Sequence, residues 1–94
     1  MAPIQSFAEF DANLGQAMAG INKLVLQTPG DSFLESIQRQ LKFVYDWTRG
    51  GRRPADEQIQ QLSFGVMATR AVDDLDSDLG LILHRLSSYL QHWK

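Results

Sequence analysis

The densest chemistry in the chain is Asp73-Asp74-Leu75-Asp76-Ser77-Asp78, four carboxylates in six residues. Carboxylates this crowded can hold a divalent cation, cap a helix or present a negative surface to a partner. Asp74, Asp76 and Asp78 alternate like the first three ligands of a calcium-binding loop. The sixth position of such a loop would be Leu79 instead of glycine, and the twelfth Arg85 instead of a bidentate Glu, so calcium is not expected. Capping explains part of the cluster: Asp76 at an N-cap with Asp78 in the first turn would stabilise the following helix by about 1 kcal/mol. That cap does not need Asp73 or Asp74. Four like charges repel one another, and an electropositive protein pocket is the other thing such a bend suits.

The remaining candidates are weaker. His84 and His92 lie eight residues apart. On a helix they would share a face at roughly 12 Å, too far for one metal ion. No Glu-x-x-His pair supplies a di-iron site. Ser87-Ser88 sits between the two histidines without a nucleophile elbow or an identifiable oxyanion hole. Arg49, Arg52 and Arg53 surround Gly50-Gly51 without a P-loop pattern. Arg49 suits the C-terminal end of a helix, and the other two are expected in solvent. The aromatic residues say more. Tyr45, Trp47, Phe64, Tyr89 and Trp93 are many large rings for a small core, so some must be partly exposed, and Tyr and Trp are frequent anchors of protein interfaces. Core packing is the expectation for Phe33, Leu41 and Leu86. Trp47, beside the apolar stripe of its helix, suits core and interface equally.

Four helices must position these residues. The first is expected from about Pro3 to Leu26, with Ile4, Phe7, Leu14, Met18, Ile21 and Val25 at helical spacing. Gly15 and Gly20 each weaken it by about 1 kcal/mol relative to Ala. After Gln27-Thr28-Pro29-Gly30, a second helix opens at Ser32 with the capping-box pattern Ser32-x-x-Glu35. Its predicted stripe is Phe33, Ile37, Leu41, Val44 and Tyr45, and Gly50-Gly51 stops it. The third runs from about Ala55 to Val72 on Ile59, Leu62, Val66 and Thr69, widened by Phe64 and Met67. The fourth begins in the acidic bend and carries Leu79, Ile82, Leu83, Leu86, Leu90 and Trp93. Nothing alternates like a strand. Short connections predict an all-α, compact up-and-down bundle of about four helices.

Ninety-four residues make one helical domain, 1–94, with a core that buries about 60–65% of the unfolded surface. A net charge of −2 and a pI near 5.5 do not suit a general nucleic-acid binder. The absence of cysteine excludes disulfides and thiolate chemistry. No basic start followed by an apolar run marks a signal peptide, and no apolar stretch has the roughly 20 residues of a membrane span. A cytoplasmic protein without cofactor, metal or catalytic residues is the expectation. The expected function is to bind another protein, as a small helical adaptor or interaction module does. Self-association through an exposed helix face is a further reading.

Four segments, in order, carry a resemblance to a known family. They are Gln40-Leu41-Lys42-Phe43-Val44, Leu62-Ser63-Phe64-Gly65, Ala68-Thr69-Arg70, and the acidic bend through Leu79. Over roughly residues 35–83 the chain resembles the small helical immunity proteins of type VI secretion effectors, in particular the group that neutralises a toxin domain degrading NAD. Ser77 stands where that family has proline, and Arg49-Gly50-Gly51-Arg52-Arg53-Pro54 departs from its loop. The resemblance implies a bacterial antidote that binds the catalytic domain of a cognate effector toxin and blocks its active site. Toxins acting on nucleotides need clefts that attract phosphate. The implied toxin-binding residues are therefore Asp73, Asp74, Asp76 and Asp78, with Tyr45 and Trp47 as aromatic anchors.

Overall fold

Ser6 starts the first helix: its hydroxyl accepts the Glu9 amide at 3.2 Å, satisfying one of the backbone donors that a helix N-terminus leaves free. This is a computed structural model, and it describes residues 4–93. Helix α1 (Phe7–Gln27) therefore begins later than expected, and Pro3 lies outside the described residues. Helix α2 (Ser32–Trp47) is capped by Asp31, not Ser32. Asp31 Oδ1 accepts the amides of Phe33 and Leu34 at 3.0 and 3.1 Å, and a carboxylate there also meets the positive end of the helix dipole. A 3-10 turn, Arg49–Gly51, follows, with Gly50 and Gly51 at φ 78° and 83°. That left-handed backbone is where glycine avoids a Cβ clash.

The third expected helix is two. Helix α3 (Asp56–Gln60) and helix α4 (Phe64–Ala71) are separated at Gln61-Leu62-Ser63. The cause is a tertiary hydrogen bond. The Ser63 amide donates to Gln40 Oε1 at 2.7 Å, so an α2 side chain takes the donor that a continuous helix would have used. Gln40 Nε2 also donates to the hydroxyls of Ser36 and Ser63 at 3.1 and 3.2 Å. The break resets the helical phase. Phe64, Ala68 and Val72, four apart, are buried, whereas Val66, placed in the predicted stripe, is 67% exposed.

Helix α5 (Ser77–His92) buries Leu79, Leu83, Leu86 and Leu90, and Asp76 caps it as expected, accepting the Leu79 amide at 3.1 Å. Helices α1 and α4 each pack against both α2 and α5, giving an all-α up-and-down bundle. The helix α1 core stripe is Phe10, Leu14, Ala17, Ile21 and Leu24, with Phe7, Met18 and Val25 on its flank. On α2 it is Leu34, Ile37, Leu41 and Val44. Phe33 and Tyr45, both assigned to that stripe from the sequence, are instead 43% and 40% exposed, because each sits one helical position off the buried face. Leu41 and Leu86 are fully buried.

Close approaches set the helix spacing. A Cβ on Gly20 would lie 3.0 Å from Leu79 Cδ1, so α5 crosses α1 there. At the opposite end of α5, Tyr89 stacks on Phe10 and Trp93 packs against it at a tilt, centroids 5.1 and 5.6 Å away, and Phe7 joins the cluster. Arg53, expected in solvent, ties this end together. Its Nε donates to the Trp93 carbonyl at 2.6 Å and its Nη2 to Asp56 Oδ1 at 2.7 Å, so the last turn of α5 is held to the entry of α3.

Candidate functional site

The acidic bend is a tight turn between α4 and α5. The amides of Val72 and Asp73 both donate to the Ala68 carbonyl at 2.9 Å, and the Asp76 amide donates to the Val72 carbonyl at 2.8 Å. Its four carboxylates are not equivalent. Asp76 is used by the cap. Asp73 Oδ2 accepts from His84 Nε2 at 3.3 Å when that nitrogen carries the proton, and a Cβ on Gly80 would collide with Asp73 Oδ1. Asp73 is thus folded back against α5. Asp74 and Asp78 are exposed and form no ion pair among the described residues. Leu75, at the tip between them, is 58% exposed. An apolar side chain in a run of aspartates was the available signal for it, and sequence reasoning passed it over.

The two aromatic candidates of α2 face different ways. Residues two apart on a helix differ by about 200° in direction. Tyr45 lies on the α1 side. The Arg49 guanidinium sits 3.8 Å over its ring, while Arg49 Nε donates to the Tyr45 carbonyl at 2.9 Å. Arg49 also pairs with Asp11. That hydrogen bond raises the guanidinium pKa above its ordinary value, with the nearby charges of Asp11, Tyr45 and Asp46 adding to it and desolvation opposing. Trp47 is half-buried and stacks on exposed Phe43, centroids 5.7 Å apart and planes 11° from parallel. Phe43 belongs to the Gln40–Val44 segment singled out in the sequence, but its exposure required the structure.

The bend and these rings are not brought together. Arg49 pairs with Asp11, next to Phe10, which packs on the C-terminal end of α5. The bend is at the N-terminus of the same helix, so the two patches stand about 20 Å apart by helix rise.

Between α4 and α5 runs an open groove of about 580 Å³. Thr69 and Arg70 line it from α4, and His84, Ser87, Gln91 and His92 from α5. Gly65 makes it possible: a Cβ there would come within 2.8 Å of Ser87 Oγ and 2.9 Å of Ser87 Cβ. Both histidines are accordingly on one face, as their spacing predicts. His92 Nδ1 donates to the Ser88 carbonyl at 2.8 Å, so its bond is to backbone and not to a serine hydroxyl. Among the described residues no three His, Asp or Glu side chains converge on a metal position, and no helix is long and apolar enough to cross a membrane.

These features define a small helical bundle whose distinctive chemistry lies on its outside, in an acidic turn, exposed aromatic rings and a polar groove. The family model for Tsi6 matches residues 9–92, and the chain belongs to that family of type VI secretion immunity proteins. No curated protein and no solved structure matches it. The segments that carried the resemblance are joined pairwise. Gln40 bonds Ser63, and the Asp73 amide donates to the Ala68 carbonyl.

Proposed function

We propose that this chain is the antidote to a cognate effector toxin that attacks NAD(P) or another nucleotide, binding the toxin's catalytic domain in the bacterial cytoplasm and occluding its active site. It contributes no chemistry of its own. Membership of an immunity family supports a protein effector as partner. The observation that carries the finer reading is the acidic bend, with Asp74 and Asp78 exposed and free of ion pairs among the described residues on either side of exposed Leu75. A cleft that holds phosphates must be positive, and a rigid negative turn with an apolar tip is complementary to it. Asp73 and Asp76 hold the turn in shape while adding to its field. Tyr45 or Trp47, which face different ways, supplies the aromatic anchor on α2. A patch of about 800 Å² per partner, a usual size for a stable complex, is wide enough to include the bend and one of these rings.

The test is co-expression with the toxin domain encoded beside this chain. Survival of the host with the unaltered chain is expected, and death despite its expression would refute the proposal. Affinity measured for Asp74→Ala and Asp78→Ala at two salt concentrations then places the bend. Weaker binding with a shallower salt dependence puts it in the interface, and unchanged values remove it.

A further inference from the structure

We propose that the groove between α4 and α5 is a second docking subsite, which receives an acidic segment of the same effector. This rests on the reading of the chain as an effector-binding protein and goes beyond occlusion by the acidic bend. In a chain of net charge −2, the groove lining contains no carboxylate apart from Asp73, which closes one end against His84, and it holds the Arg70 guanidinium with the hydroxyls of Thr69 and Ser87 and the imidazoles of His84 and His92. Arg70 is exposed and forms no ion pair among the described residues. A guanidinium with five donors is the side chain best shaped to grip a carboxylate through two parallel hydrogen bonds.

The floor of the groove is built. Gly65 lets α4 approach Ser87 within a distance no side chain would permit, and the Asp73–His84 pair closes the end next to the bend. The surface therefore changes character across this residue pair, from negative on the bend to cationic at Arg70 in the groove. A partner carrying the opposite pattern, a basic cleft beside an acidic loop, fits in one orientation only, because the reversed pose sets like charges against each other. The groove is open along its length and would leave a small ligand mostly in water, whereas small-molecule sites enclose most of their ligand. A carboxylate-bearing loop of a protein, anchored by contacts on both sides, suits it better than a free anion.

The experiment measures affinity for the effector's catalytic domain with the unaltered chain, Arg70→Ala and Arg70→Glu, each confirmed folded by circular dichroism and melting. The expected result is tight binding by the unaltered chain, about tenfold weakening by Arg70→Ala, and a larger loss by Arg70→Glu that one acid-to-lysine change in the effector restores. Tight binding that is indifferent to both Arg70 variants overturns the inference and leaves the proposed function standing. Absence of binding by the unaltered chain overturns both. Weakening that millimolar inorganic phosphate reproduces, and that no effector substitution rescues, assigns the groove to a small anion and overturns the inference.

Discussion

Gln40→Ala tests the joint that organises the second half of the chain. Gln40 is the only side chain described here that reaches from α2 to the start of α4 to accept the Ser63 amide, at 2.7 Å, and Ser63 has no side-chain cap of its own. Removing it deletes that acceptor and the bonds from Nε2 to the Ser36 and Ser63 hydroxyls. Loss of a helix cap costs about 1 kcal/mol, and an unsatisfied half-buried donor pushes the cost toward 2. The better helix propensity of alanine returns a few tenths. A net loss of about 1.5 kcal/mol lowers Tm by roughly 6–12 °C in a domain of this size. Gln40→Glu is the control. It keeps the acceptor, lets both hydroxyls donate instead, and places negative charge at a helix N-terminus, so a change of less than about 0.5 kcal/mol is expected. Thermal and urea melts measure both. Equal stability of Gln40→Ala and the unaltered chain, or a larger loss for Glu than for Ala, would refute the account of the α3–α4 break.

Other substitutions probe other parts. Gly80→Ala forces a Cβ onto Asp73 Oδ1 and should cost about 1–3 kcal/mol by overpacking, with loss of the Asp73–His84 contact seen as a shifted His84 resonance in NMR spectra. Gly15 has open space where a Cβ would go, so Gly15→Ala should raise Tm, stabilising α1 by about 0.5–1 kcal/mol. Asp76→Ala should cost about 1 kcal/mol through the lost cap, whereas Asp74→Ala should leave the melt within about 0.5 kcal/mol, which separates folding from binding within a single turn. Phe10→Ala removes a fully buried ring at the centre of the aromatic cluster and should cost about 3–5 kcal/mol, enough to broaden or abolish the cooperative melt.

Periodicity made the bundle legible. Ile37, Leu41 and Val44 are legible as core because spacings of four and three between large apolar side chains leave little freedom of phase. The cap at Asp76 and the stop at Gly50-Gly51 are local and could be read locally. Where apolar residues flank the stripe, phase was ambiguous. Phe33 and Tyr45 went outward, and Ala17, small and unremarkable in the sequence, went in. The spacing Ser6-x-x-Glu9 is a helix start that Pro3, three residues earlier, overshadows. The break at Ser63 had no local signal, since it depends on a glutamine 23 residues away. The same holds for the site. Composition marks the acidic bend, but only the contacts with Gly80 and His84 separate inward Asp73 from exposed Asp74. The groove is invisible in sequence because Arg70, His84 and His92 meet only when Gly65 lets two helices close on each other.

The most direct measurement is a titration of the purified cognate toxin domain with this chain, following NAD(P) consumption and heat release together. The account predicts a tight complex with activity falling to zero at one equivalent, and no consumption by this chain alone. Full toxin activity in the presence of excess chain, or turnover of the nucleotide by the chain itself, would contradict it.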